Sequence, residues 1–215
     1  MTIFITVKKE SKRCPNKNLI LLPYVLNNFS NYLKEIIVIT DSVELKKIAE
    51  DFGVKETFLE DKRVQVSEFN SIYNYLSKNN KFSEISEFIY LPVTQPFSSE
   101  ELLNNISSLD LSDYDFSTTY SIIPDRKIFL LNNDNSFKYN SYERKGSLCG
   151  ELKMIDGAIY RIKTEFLEKI ISSDNINHCF WNESKILFLE NNNLFLDIDT
   201  PRDLFLFQEI IKNKS

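Results

Sequence analysis

The sequence predicts an α/β fold, a sheet joined by crossover helices, from three observations. Short apolar runs alternate with amphipathic stretches along most of the chain. Helix-cap residues follow on apolar runs, as at Asp41 and Thr200. The 215 residues are 42% hydrophobic and 27% charged, the proportions of an ordinary soluble globular domain.

The elements follow in order. Ile3 to Val7 is the first strand, and a polar loop leads to a helix from Tyr24 to Leu33 and a strand from Ile36 to Ile39. Asp41-Ser42-Val43-Glu44 resembles a capping box; Leu45, Ile48, Ala49 and Phe52 then recur at helical spacing before Gly53 closes the helix. Val54 to Leu59 reads as a strand, Phe69 to Leu76 as a helix and Phe88 to Val93 as a fourth strand limited by Pro92 and Pro96. Ser98 and Glu101 stand at capping-box spacing and open another helix.

From Phe116 the texture turns to strand-like runs, Phe116 to Ile123 and Ile128 to Leu131, with a polar stretch from Asn132 to Asn140. A β-rich inserted lobe over about 116–153, within a single domain spanning 1–215, is expected. Met154 to Ile162 and Ile186 to Glu190 read as strands around a helix from Thr164 to Ile171. Leu194 to Thr200 reads as a last strand. Thr200 is then an N-cap, Pro201 the first helical residue, and Leu204, Phe207 and Ile211 the buried stripe of a terminal helix.

A net charge of −5 supplies no global basic field for nucleic acid or an anionic membrane. No apolar run approaches the roughly 20 residues of a membrane helix, and Met1 leads straight into the first strand without a leader. A cytoplasmic protein is expected. Cys14, Cys149 and Cys179 form no C-x-x-C pair, so neither a disulfide framework nor a zinc site is indicated. Four glycines leave no glycine-loop nucleotide motif.

Two clusters carry chemistry. Lys8, Lys9, Lys12, Arg13 and Lys17 crowd the loop after the first strand, where ligands bind in open α/β sheets. Ammonium groups there suit a triphosphate and its leaving pyrophosphate, although a basic loop is more often solvated surface. In Asp197-Ile198-Asp199 an extended backbone points both carboxylates to one face, a spacing suited to one Mg²⁺ held together with substrate phosphates. The plainer alternative is that Asp199 or Thr200 only caps the helix. Together the clusters are the parts of nucleotidyl transfer.

At these residues the chain resembles the acylneuraminate cytidylyltransferase family, the CMP-sialic acid synthetases and their relatives. Ser11, Lys12, Lys17 and Asn18 match its Arg-x-x-Ser-Lys-x-x-x-x-Lys-Asn signature, with Lys8 in the arginine position. Ile37 to Ser42, Leu91 to Phe97, Asp156-Gly157-Ala158-Ile159-Tyr160 and Asp197-Ile198-Asp199-Thr200-Pro201 look like four further family segments, in order.

The resemblance implies a three-layer fold like that of the nucleotide-diphospho-sugar transferases, a mixed sheet with a small β-rich dimerisation lobe, and homodimers. It implies transfer of CMP from CTP to a sugar acid, or to a related acid or phosphorylated acceptor, with release of pyrophosphate, for surface glycan synthesis. Lys8, Ser11, Lys12, Lys17 and Asn18 would bind CTP, with Lys17 and Lys8 acting on the phosphates; Gln95, Asp156 and Gly157 would face the acceptor, and Asp197 and Asp199 would hold Mg²⁺. Lys8 lacks the planar fork of arginine, Pro92 stands for a family glutamine and Asp156 for an asparagine. A non-catalytic nucleotide-binding homologue and a metal-dependent glycosyltransferase are the alternative readings. His178, the single histidine, sits among aromatics and reads as packing or surface; Arg126, Arg144 and Lys145 are candidates for a substrate carboxylate.

Overall fold

The computed structural model describes residues 1–60, 67–124, 130–131, 137–139 and 151–213. The strands are β1 (Ile3–Val7), β2 (Ile36–Thr40), β3 (Glu56–Leu59), β4 (Glu87–Tyr90), β5 (Phe116–Pro124), β6 (Leu130–Leu131), β7 (Phe137–Tyr139), β8 (Glu151–Lys163) and β9 (Ile186–Glu190). The helices are α1 (Lys17–Asn28), α2 (Val43–Phe52), α3 (Glu68–Lys78), α4 (Glu100–Ser107), α5 (Thr164–Ile171), α6 (Ile176–Asn182) and α7 (Pro201–Lys212).

Seven strands form one sheet in the order β3-β2-β1-β4-β8-β5-β9, and β6 pairs with β7 as a separate two-stranded sheet. Within the seven-stranded sheet the neighbours are parallel except at β8, which runs antiparallel to both β4 and β5, and β6 and β7 are antiparallel to each other. The strand alternation splits the core in two. Ile3, Ile5 and Val7 pack under α1, α2, α4 and α7 with Leu22, Leu45, Leu103 and Phe207. Phe4, Ile37 and Ile39 face the other way, toward α3, α5 and α6 with Ile72, Phe166 and Phe180. Helices on both faces of a mostly parallel sheet make three layers, as the sequence predicts.

Several boundaries differ from the expectation. The first helix begins at Lys17 rather than Tyr24 and carries Pro23 inside it. A proline costs one helical hydrogen bond, but Leu21, Leu22, Val25 and Leu26 are all buried on the sheet, and that packing holds the helix through it. Leu194 to Thr200 forms no ladder, and α6 was not expected at all. Gly53 caps the end of α2 as predicted, at φ 77°, while Ser42 rather than Asp41 caps its start and Ser99 rather than Ser98 caps α4. Thr200 caps α7 in a reciprocal box with Asp203. No described helix is long and apolar enough to cross a membrane.

Candidate active site

β1 lies between β2 and β4, so the chain's crossovers leave it in opposite directions, and a crevice opens at the carboxyl ends of β1 and β4. A cleft of about 500 Å³ occupies that position. Lys8, Ser11, Lys12, Lys17 and Asn18 line it from the first cluster, and Asp197 and Asp199 from the second.

The loop after β1 is pinned from several sides. The Lys9 amide donates to the Asp41 carboxylate at 2.6 Å, Asn18 Nδ2 donates to the Lys8 carbonyl at 2.6 Å, and the Cys14 amide donates to Ser11 Oγ at 3.3 Å. Asn18 thus shapes the loop through its amide nitrogen, and Lys8 and Lys12 remain exposed at the cleft. Because α1 starts at Lys17, its first turn lies at the cleft wall, adding the partial positive charge of a helix N-terminus. The late start expected for this helix had concealed that contribution.

Ile198 explains how both aspartates reach the cleft. Its side chain is fully buried, its amide donates to the Thr94 carbonyl at 2.9 Å, and its carbonyl accepts from the Lys17 ammonium. Its neighbours on either side are turned the opposite way. Lys17 Nζ, on a side chain only 7% exposed, also stands 3.3 Å from Asp199 Oδ1, and Arg13 reaches Asp199 Oδ2 at 3.0 Å. Arg13 was counted in the basic loop but not chosen as a site residue; the structure places it at the carboxylate pair.

The pair fits a divalent cation. Asp197 Oδ1 is buried without a hydrogen-bond partner. Burial pushes the Asp197 carboxyl up from its ordinary value, and the nearby Asp199 charge adds to this against a hydrogen bond with Thr94 and the charges of Lys17 and Arg13. Two neighbouring carboxylates, one of them with a buried, orphaned oxygen, match the one or two protein ligands Mg²⁺ takes alongside phosphates. No group of three or more such ligands exists among the described residues.

A second chamber of about 300 Å³ adjoins the cleft and shares Glu68, Tyr90, Pro92, Thr94 and Asp197 with it. Gln95, Asp156 and Gly157 line this chamber, so the three residues assigned to the acceptor do come together. Much of their polar capacity is spent on the protein itself. On β8, Asp156 to Ile159 face the single residue Thr119 of β5, a wide bulge whose backbone groups need partners. Gln95 Nε2 donates to the Asp156 carbonyl at 3.3 Å, Ser98 Oγ to the Ala158 carbonyl at 3.2 Å and Thr118 Oγ1 to the Ile159 carbonyl at 3.1 Å.

The Asp156 carboxylate collects four donors: the Thr119 hydroxyl and the Ala158 amide at Oδ1, Ser121 Oγ (2.5 Å) and Asn191 Nδ2 (2.9 Å) at Oδ2. Gly157 holds φ 60°, and a Cβ there would stand 2.2 Å from the Tyr160 hydroxyl oxygen. This glycine makes room for a tyrosine rather than for a ligand. Burial pushes the Tyr160 phenol up to about 12, so it lines the chamber as a neutral group.

The aromatic side of the chamber escaped the sequence reading, because α6 and its Phe180-Trp181 were not recognised as an element. His178 sits on the outside of the same helix, 3.2 Å from Glu183. Arg126, Arg144, Lys145 and Cys149 lie outside the described residues.

No protein-family profile matches the chain, and no curated protein matches it either. Solved structures do. CMP:2-keto-3-deoxy-manno-octonic acid synthetase complexed with CTP aligns over 100% of this chain and 99% of its own, at 17% identity and a TM-score of 0.72. The 4-diphosphocytidyl-2C-methyl-D-erythritol synthase of Anaerococcus prevotii aligns over 98% of each chain, at 13% identity and a TM-score of 0.67. HddC from Yersinia pseudotuberculosis complexed with GMP-PN covers 98% of this chain and 100% of its own, at 16% identity and a TM-score of 0.63. The chain therefore has the nucleotide-diphospho-sugar transferase-like fold that its resemblance implied.

Proposed function

We propose that this protein is a Mg²⁺-dependent cytidylyltransferase that moves CMP from CTP to a small acceptor and releases pyrophosphate. The observation that carries the reading is the contact of Lys17 with Asp199, 182 residues apart, which joins the cationic loop and the carboxylate pair in one cleft. Structural likeness to a CTP-bound synthetase supports the choice of nucleotide; HddC, complexed with a guanine nucleotide, makes GTP the necessary comparison.

In this reading Lys8, Ser11, Lys12 and the first turn of α1 seat the triphosphate. Lys17, fixed by the Ile198 carbonyl, holds its charge beside the α-phosphate, where it offsets the negative charge that grows in the transition state. Mg²⁺, held by Asp197 and Asp199, supplies further neutralisation of phosphate oxygens. An acceptor oxygen arriving from the second chamber attacks the α-phosphorus. The bond from phosphorus to the α,β-bridging oxygen breaks, and pyrophosphate leaves with the electron pair. The sequence resemblance supports a sugar acid, a related acid or a phosphorylated acceptor, as well as a homodimer acting in the cytoplasm on surface-glycan precursors.

The test is pyrophosphate release from CTP, GTP, ATP and UTP with Mg²⁺ across a panel of sugar acids and phosphorylated acceptors, with products identified by mass. A CMP-linked product, lost in Lys17→Ala and Asp199→Asn, is the expected result. CTP binding with no release from any acceptor would leave a non-catalytic nucleotide-binding protein instead, and consumption of an intact nucleotide-sugar would favour a glycosyltransferase.

A further inference from the structure

Taking nucleotidyl transfer as the reaction, we propose that the acceptor is zwitterionic: a small phosphomonoester whose other end is an ammonium or quaternary ammonium group held in the second chamber. The inference rests on how differently the two adjoining spaces are built. The nucleotide cleft is walled by Lys8, Lys12, Arg13 and Lys17. The chamber beside it is walled by aromatic rings, carboxylates and the neutral polar side chains of Ser67, Thr94, Gln95 and Asn177, with no Lys, Arg or His among the described residues that line it; residues 61–66, just before Ser67, lie outside the described residues.

The rings form one continuous surface. Phe69 stacks on Phe180 at 4.9 Å and Tyr90 on Tyr160 at 5.9 Å, while Tyr160 meets Phe180 edge-on at 6.1 Å and Trp181 closes on Phe180 at 4.8 Å. Trp181 is 39% exposed, so part of its ring is left open to a ligand. Aromatic faces carry the negative end of the ring quadrupole and attract cations, tryptophan most of all. Glu68, exposed at the start of α3 and outside the carboxylate pair assigned to Mg²⁺, adds full negative charge. The Asp156 carboxylate, already saturated by four donors, adds field without needing a proton donor from a ligand.

A sugar-acid carboxylate in this space would meet carboxylates and ring faces. An ammonium group meets partners on every described side. The acceptor's phosphate then lies toward the cationic cleft, and one of its oxygens attacks the α-phosphorus. The α,β-bridging bond breaks, pyrophosphate departs with the electron pair, and a phosphoanhydride forms between the acceptor phosphate and CMP. A dianionic phosphate attacks without losing a proton, so the chamber needs no general base.

Trp181 is the only tryptophan in the chain, which gives a direct readout of chamber occupancy. The full-length protein is titrated with phosphocholine, phosphoethanolamine, Kdo and N-acetylneuraminate, with and without Mg²⁺ and CTP, while tryptophan fluorescence is followed. Saturable change with the two amine phosphates and none with the acids is expected, together with turnover at least about tenfold more efficient on an amine phosphate than on either acid. Glu68→Gln, which keeps the fluorophore, should weaken phosphocholine binding about fivefold. Preference for the acids, or no fluorescence response to either amine phosphate, overturns the proposal. CTP binding, measured separately by calorimetry, tests the nucleotidyl-transfer reading: its loss removes that reading while Trp181 still reports on the chamber.

Discussion

Replacing Asp156 with asparagine, the residue the resembling family carries there, should damage this protein. Each Asp156 oxygen accepts one hydroxyl and one N–H: Thr119 Oγ1 and the Ala158 amide at Oδ1, Ser121 Oγ and Asn191 Nδ2 at Oδ2. The hydroxyls can turn to accept, but the Ala158 amide cannot, and Asn191 can present its oxygen only by giving up the bond its Oδ1 accepts from the Asn193 amide at 2.9 Å. Whichever way the new amide flips, its NH₂ faces an N–H across a site that is 7% exposed. One charge-assisted hydrogen bond is lost, about 2 kcal/mol, and a buried donor is stranded, a further 1 kcal/mol or more, so a destabilisation of about 3 kcal/mol is expected. In a chain of this size that lowers the melting midpoint by about 6–12 °C. The assay is thermal and urea unfolding of Asp156→Asn alone and combined with Asn191→Asp. The double variant restores a donor opposite a carboxylate and should recover more than half of the loss. Asp156→Asn within about 0.5 kcal/mol of the parent, or no recovery in the double variant, would refute the donor-only environment.

Other outcomes follow from the same contacts. Gly157→Ala forces a Cβ to within 2.2 Å of the Tyr160 hydroxyl at positive φ, so unfolding should show a loss of at least about 2 kcal/mol; adding Tyr160→Phe should return part of it. Lys17→Ala should lower the rate of pyrophosphate release by about a hundredfold or more in a stopped assay, as loss of a fixed charge at the reacting phosphate does, while circular dichroism stays unchanged. Thr200→Ala removes the N-cap of α7 and should cost about 1 kcal/mol in urea unfolding. The hydrogen bond from Thr200 holds the Asp203 carboxyl below its ordinary value. A lowered folded value means stability that is present above the ordinary carboxylate range and lost as the pH falls through the folded value. Thr200→Ala should therefore flatten the acid limb of a stability-pH curve.

Where periodicity alone decides an element, the sequence was readable: α5 and β9 occupy the residues expected of them, and α2 ends at its predicted Gly53 and starts one residue from its predicted cap. Where local rules compete with burial, it was not. Pro23 reads as a helix boundary, yet four buried residues around it hold one helix that begins six residues earlier. The short α6 leaves no repeated apolar period, so its two aromatic residues looked like isolated packing and the wall they complete stayed hidden. The site shows the same division. Ordered motifs placed the cationic loop and the aspartates, but the spending of Asp156 and Gln95 on a strand bulge depends on Thr119, Ser121 and Asn191, which no spacing in the chain connects.

The Asp197–Asp199 segment shows why a wrong element can still place its side chains as expected. The expectation of a strand supplied only an alternation, with both carboxylates to one side and Ile198 to the other. The protein keeps that alternation without a ladder. Ile198 is anchored by its own burial, by the Thr94 carbonyl on its amide and by Lys17 on its carbonyl. Thr94 follows β4, which lies beside β1 at the switch point, and Lys17 opens α1. The two elements that shape the cleft are therefore the same two that aim the carboxylates into it. The capping of α7 by Thr200 and Asp203 fixes the far end, with the Asp199 amide itself donating to Asp203 at 3.2 Å. Helix capping and a paired-carboxylate site, which compete as explanations of this motif when only its spacing is known, are here consecutive parts of one arrangement: the cap sets the backbone, and the backbone sets the carboxylates.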